Sequence, residues 1–317
     1  MPEIFVYSIP MPIRFRGLNA RQGMLWRGPA GWAEWSPFAD YATEQAATWL
    51  LAAQEAGEQG FPPPVRQTIA VNATIPATDP ATAHRLATQS GCRTAKVKVA
   101  EPGQSLGDDL ARVEAVRDAL GPTGAIRVDA NGAWDLDQAT VALRQLSRFD
   151  LEYAEQPCAS VADLAVLRRR VGVRIAADES IRRADDPYLV KRLEAADVAV
   201  LKVQPLGGVR ACLRLAEDLG MDLVVSSAVE TAVGVRAGIA LAAALPELPY
   251  ACGLNTAALL AADVVVDRLV GVDGQIPVRE IQPDPDLIDQ VRADPATTAA
   301  WTQRLADCQS HLRGRHG

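Results

Sequence analysis

Two lysines, Lys96 and Lys98, stand two positions apart in TAKVKVA, where every other residue is small, apolar or β-branched. In a strand, alternation puts both ammonium groups on one face and Ala95, Val97 and Val99 on the other. Further along, Asp129 in IRVDAN, Glu155 in LEYAEQ, Asp178 in IAADES and Lys202 in AVLKVQ each lie near the carboxyl end of an otherwise apolar run. From Lys98 the steps are 31, 26, 23 and 24 residues (98 to 129, 129 to 155, 155 to 178, 178 to 202), each about one strand–helix unit. Successive strands thus bring one ionisable group each to a common rim.

Three carboxylates converging in a low-dielectric mouth raise one another's pKa unless a cation sits among them. All-oxygen ligation with positions left for water and substrate suits Mg²⁺ or Mn²⁺, rather than zinc or an enclosed Ca²⁺ cage. Asp129, Glu155 and Asp178 are therefore the expected metal ligands. None of the three histidines, His84, His311 and His316, falls on a strand end, which leaves lysine to carry protons. Lys98 and Lys202 flank the acidic strands from opposite sides, and the charges of Lys96 and the metal would depress the pKa of Lys98 toward the ~7–8 of a lysine base. A single lysine or acid at a strand end is ordinarily a solvated loop residue or half of an ion pair. Six such residues in register on five consecutive strands are not what solvation of a surface produces.

The elements that must position them follow from a repeating format that begins near residue 66: a short β-like run, turn residues, then a helical stretch such as SLGDDLARVEAVRDAL or SVADLAVLRRRV. The candidate strands are IAVNATI, TAKVKV, IRVDAN, LEYAEQ, VRIAADE, VAVLKV, DLVVSS and YACGL, eight between residues 69 and 254. Eight such units predict a closed parallel (β/α)8 barrel, whose carboxyl-end rim is where chemistry sits. A doubly wound sheet would stop sooner and often carries a Gly-rich turn after its first strand, where this chain has PATDPAT. With 317 residues, 49% of them hydrophobic, one large domain plus a smaller one is expected. A net charge of −7 argues against a nucleic-acid partner. The N-terminus has no leader-like charge and apolar run, and no apolar run reaches the roughly 18 residues of a membrane span. Five scattered cysteines without a C-x-x-C pair suggest neither a disulfide frame nor a zinc site, and a cytoplasmic protein is expected. Oligomeric state is not legible.

Two weaker features stay open. Gly207 and Gly208 either offer backbone N–H groups to an anion or form a tight turn. Ser226 and Ser227 in VVSSAVET either hydrogen-bond a substrate carboxylate or cap the next helix.

Taken together, K-V-K, R-V-D-A-N-G, E-Q-P, A-D-E-S and L-K-V-Q-P-L-G-G resemble the motifs of the enolase superfamily and its muconate-lactonizing-enzyme-like subgroup. The resemblance spans most of the chain. It implies a modified (β/α)8 TIM-like barrel with an α+β capping domain. Residues 1–65, including a hairpin MLWRGPAGWAEW and a helix around TEQAATWLLAAQEA, would form the cap, 66–266 the barrel, and 267–317 a segment returning to the cap. It implies the same metal ligands, Lys98 as base, Lys202 facing it, and Arg127 and Asn131 supporting the first ligand. RGLNARQG, residues 16 to 23, resembles the family's lid, with Asn19 and Arg21 reaching substrate, and Gly253 in CGLNTAALL would line the same site. The shared reaction is removal of a proton α to a carboxylate to give an enediolate. The compact length, GWAEWSPF, SSAVET and CGLNTAALL point within the subgroup to a dehydratase acting on a cyclohexadiene carboxylate. Racemases, epimerases and cycloisomerases of the subgroup are the alternatives; a Schiff-base aldolase or a non-catalytic barrel scaffold would need no metal-spaced carboxylates.

Overall fold

The computed structural model describes residues 3–15 and 17–314. Arg16 and His316 lie outside them. β1 (Ile4–Phe15), β2 (Leu18–Gly28) and β3 (Gly31–Trp35) form an antiparallel sheet. Gly28 pairs with Gly31 across the β2–β3 turn, so MLWRGPAGWAEW is a hairpin. A Cβ on Gly28 would stand 2.2 Å from the Gly57 carbonyl oxygen, which is why the helix Thr43–Glu58 can lie so close. That helix and the terminal helix Pro295–Gly314 bury Trp35, Trp49, Trp301, Leu305 and Cys308 in one cluster. Within it the Trp35 and Trp301 rings meet edge to face with centroids 5.4 Å apart. β1 was not legible in the sequence, because Pro10 and Pro12 interrupt its pattern and its register shifts between Pro10 and Phe15.

The remaining strands are β4 (Thr68–Ala70), β5 (Ala73–Ile75), β6 (Thr94–Lys98), β7 (Ala125–Asp129), β8 (Leu151–Glu155), β9 (Ile175–Ala177), β10 (Val198–Leu201), β11 (Asp222–Val225) and β12 (Gln275–Pro277). β5 to β11 make one parallel sheet in chain order. Residues of YACGL close it: Ser226 bridges Gly253 and Val71 bridges Cys252. Gly253 N donates to Val225 O at 2.9 Å and Asn72 N to Cys252 O at 3.0 Å. The expected single strand IAVNATI is instead split. β4 turns away to pair antiparallel with β12, and the break falls at Asn72, whose buried amide donates to Ala73 O and accepts from Arg127.

The outer helices start where side chains satisfy their free N–H groups. Ser105 with Asp108 and Asp135 with Gln138 form capping boxes, Asp79 and Ser160 cap alone. The regular alternation fails after β9, where two four-residue helical turns replace one helix, and after the closing segment, which leads into a 3₁₀ turn. Among the described residues no helix is long and apolar enough to cross a membrane.

The cap docks through buried acids that serve barrel helices. Glu55 accepts from the backbone N–H groups of Val209 at 3.1 Å and Arg210 at 3.3 Å. The anion at Gly207–Gly208 is thus the protein's own carboxylate, not a ligand. Gly208 has φ 123°, and a Cβ there would fall 2.2 Å from Glu55 Oε2. Glu34 of β3 accepts from Tyr7 Oη, Ser36 Oγ, Gly234 N and both N and Oγ1 of Thr231.

Gly208→Ala is expected to lower stability by about 2 kcal/mol or more, through strain at a left-handed position and the clash with Glu55, read by denaturant unfolding; an unchanged midpoint would refute that account. Burial, together with the charge of Glu230, pushes the Glu34 carboxyl up to about 7. The folded protein therefore retains a proton that the unfolded chain releases near the ordinary 4.5, and stability falls as pH rises between those values and levels off above. Glu34→Gln should remove that part of the slope; a variant with the wild-type slope between pH 4.5 and 7 would sink the assignment.

Candidate active site

Strand register sets the rim. Lys96 pairs with Arg127 and Lys98 with Asp129, and Asp129 with Glu155, so the carboxyl ends of β6, β7 and β8 lie level. Asp178 and Lys202 directly follow β9 and β10. All the side chains are buried: Asp129 and Glu155 are 1% exposed and Asp178 0%, while Lys96, Lys98 and Lys202 are 6%, 8% and 5%.

Each carboxylate is met by cations. Lys98 Nζ donates to Asp129 Oδ2 at 2.5 Å and to Asn131 Oδ1 at 2.6 Å. Lys96 Nζ lies 2.8 and 3.0 Å from the two oxygens of Glu155 and 3.4 Å from Asp129 Oδ2. Lys202 Nζ donates to Asp178 Oδ2 at 2.6 Å, and Arg182 Nε to Asp178 Oδ1 at 2.8 Å. Burial alone would push Asp129 up, but Lys98, Lys96 and Lys202 hold it well below the carboxylate range. Asp178 is likewise held low against burial by Arg182 and Lys202. Glu155 carries the residual repulsion: burial, then the charges of Asp129 and Asp178, raise it to about 7 despite Lys96. Lys96 is pushed up, because Glu155 and Asp129 outweigh its burial. Burial is also the largest influence on Lys202 and lowers it, despite Asp178.

The lysines open onto an inner chamber of about 20 Å³ walled by Phe15, Phe38, Asp129, Ser226, Ser227 and Val229, among others. That is room for little more than one water. A second space, a cleft of about 570 Å³, also reaches Lys98 and Asn131. Phe15, whose ring lies 5.2 Å from Lys98 Nζ, lines both spaces.

Other expected residues fall differently. Ser226 and Ser227 do line the chamber, but Ser227 Oγ is shared with Thr256 Oγ1 and Val229 N; the following helix is capped by Thr231 instead. Asn131 is where the motif suggests, its N–H on Asp129 Oδ1 at 3.0 Å and its amide on Glu179. Arg127 is a correction. It points into the barrel one layer deeper, toward Glu152, Asn72 and Ala251 O and over the Tyr153 ring, because residues two apart on a tilted strand occupy successive interior layers. Of residues 16 to 23, those from Leu18 onward are β2, paired with β1. Asn19 is exposed on that strand, and Arg21 is 2% exposed with its guanidinium on Val229 O, Gln22 O and Ser36 O. Gly253 lines no part of the chamber. Its N–H and C=O belong to the barrel ladder, and a Cβ would fall 2.5 Å from Ser226 Oγ.

Sequence reasoning missed Arg182, which also holds Glu179 and Tyr41, and missed Phe15 and Phe38. Arg182 had a signal, four residues after Asp178 in a helical turn; the aromatic residues had none, since they come from the cap. The Gln204 side chain ties the β10 end to Ser36 of the cap.

No three Asp, Glu, His or Cys side chains among the described residues are drawn onto one point, because each carboxylate is turned to an ammonium or guanidinium partner. The donor set nonetheless fits a hard divalent cation. Three buried carboxylates on adjacent strands feel one another's charge, as the raised Glu155 reports, and a cation among them relieves it.

Two family models match the chain: the enolase N-terminal domain-like family over residues 6–57 and the enolase C-terminal domain-like family over residues 79–283. The o-succinylbenzoate synthase of Thermobifida fusca is 61% identical over 95% of this chain and 94% of its own length. That of Mycobacterium marinum is 48% identical over 100% and 96%. Among solved structures, the muconate lactonizing enzyme from Pseudomonas fluorescens, in complex with muconolactone, superposes with a TM-score of 0.81 at 22% identity, over 92% of this chain and 98% of that one. At that identity the superposition speaks for the fold, a modified TIM barrel with a cap. With rim, cap and relatives in agreement, the chain belongs to the enolase superfamily and, within it, to the o-succinylbenzoate synthase family.

Proposed function

We propose that this chain is an o-succinylbenzoate synthase, a carbon–oxygen lyase of menaquinone biosynthesis that removes water from SHCHC, a hydroxylated succinyl-cyclohexadiene carboxylate. The observation that carries the reading is the pair of lysines sharing one buried chamber, Lys98 on Asp129 and Lys202 on Asp178. The family implies a divalent metal, and Mg²⁺, with Mn²⁺ as substitute, is the proposed ion, held by Asp129, Glu155 and Asp178. When bound, it supplies positive charge to the substrate carboxylate as the α-carbon loses its proton.

Lys98, in the neutral form that a nearby dication would favour by lowering its pKa, takes that α-proton as base and becomes an ammonium. The same ammonium then gives a proton to the departing hydroxyl, which leaves as water as the ring becomes aromatic. Asn131 and Asp129 hold Lys98 Nζ in place. Lys202 stays protonated and stabilises developing negative charge from the opposite wall. With Lys98 protonated, four cationic side chains (Lys96, Lys98, Lys202, Arg182) face four anionic ones (Asp129, Glu155, Asp178, Glu179) at the rim, and their charges offset one another. The placement of Lys202 also favours a second reading, proton exchange from both faces of an N-acylamino acid, as in racemases.

With SHCHC and Mg²⁺, turnover to o-succinylbenzoate is expected and EDTA should abolish it; no turnover by metal-loaded protein refutes the reading. Lys98→Ala should lower kcat by about 10³-fold or more with circular dichroism unchanged. Lys202→Arg keeps the charge but removes a usable base, so dehydration should persist while any racemisation of N-succinylamino acids, which needs a base on both faces, is lost. Loss of dehydration alone would reverse the roles assigned to Lys202.

A further inference from the structure

Val229 is a β-branched residue at φ 62°, a conformation such side chains rarely adopt and one that persists only where the surroundings over-determine it. It lies in the chamber wall with Ser227 and Ala228, beside Lys98 and Lys202. The bonds that hold it come from both sides. Within the turn, Ser227 Oγ accepts from Val229 N at 3.2 Å and Glu230 Oε2 from Ala228 N at 2.7 Å. From the cap, Arg21 Nε donates to Val229 O at 2.9 Å, and Glu34 fixes Thr231 two residues on. Arg21 also lies 4.5 Å over the ring of Phe38, a second wall residue, and donates to Ser36 O. Its guanidinium is buried beside Glu230.

We propose that Arg21 is a positioning residue for the reaction: from the cap it holds Val229 and Phe38 as the wall that presses the substrate ring toward Lys98 and Lys202, with Val229 as the specificity-determining contact. The identity of the substrate rests on the function proposed above; the mechanical link from Arg21 to the turn does not. A planar fork reaches the Val229 and Ser36 carbonyls and the Phe38 face together, which a single ammonium cannot do. The strain at Val229 fits this role, since glycine would relax the turn but leave no side chain against the ring.

Arg21→Lys keeps the charge beside Glu230 and is the first variant. Amide hydrogen exchange without substrate should be faster at Ala228, Val229 and Thr231 than in wild type, and KM for SHCHC should rise about tenfold with kcat within about threefold. Val229→Gly should leave Tm unchanged or raised while KM rises similarly. In the double variant the KM effects should not multiply, because both act through one turn. Wild-type exchange at the turn in Arg21→Lys, or KM effects that multiply, would overturn the proposal. Wild-type protein that does not turn over SHCHC would refute the proposed function instead, with the exchange and Tm measurements still deciding the link. Should Arg21→Lys not fold, Val229→Gly alone decides: a wild-type KM, or a Tm well below wild type, ends the proposal.

Discussion

Three carboxylates taken out of water within reach of one another are the constraint on which the rest depends. An isolated buried carboxylate costs several kcal/mol, and removing one partner of a buried pair typically costs about 3–5 kcal/mol. The barrel answers by levelling the ends of β6, β7 and β8 so that Lys96 and Lys98 meet Asp129 and Glu155, and by placing Lys202 and Arg182 on Asp178. Glu155 is the member left under repulsion, which makes it the point where added positive charge is most favoured. An arrangement whose charges balance internally is stable before any ligand arrives.

The cap takes part through the same physics at helix ends. Backbone N–H groups at a helix N-terminus lack partners and attract negative charge. Glu55 and Glu34, both on the cap, reach across to serve the barrel helices that begin at Val209 and Ala232. These acids fix how the cap sits over the barrel mouth. With the cap fixed, Phe15, Phe38 and Tyr41 reach the chamber wall or the Arg182 guanidinium. The barrel strands contribute charge and the cap contributes apolar surface, and the space left between them is about 20 Å³.

Much of this was legible in the chain itself. Alternation placed Lys96 and Lys98 on one face, and unit-length steps placed Asp129, Glu155, Asp178 and Lys202 on the next four strands, because a parallel strand–helix repeat has a nearly constant length and its carboxyl ends must face one way. The hairpin at Gly28–Gly31, the helix at Thr43–Glu58 and the capped barrel helices followed from local signals of the same kind. β1 and the first half of β2 did not, since prolines and a register shift blur the period of the one and polar residues within 18–23 disguise the other as a loop.

What only the tertiary structure decided are the contacts between residues far apart in sequence. Arg21 looked like a substrate contact and is a strut 208 positions from the carbonyl it holds. Gly208 looked like part of an anion site and makes room for Glu55 of the cap. Arg127 shares a strand face with Asp129 yet belongs to a deeper layer, a distinction set by barrel tilt, and Gly253 is glycine because the closing strand passes against Ser226. The sequence by itself determined which chemical groups share the rim, through periodicity that every strand repeats. Which neighbours press on them, and so the size and lining of the chamber, was decided by packing between cap and barrel, for which no local period exists.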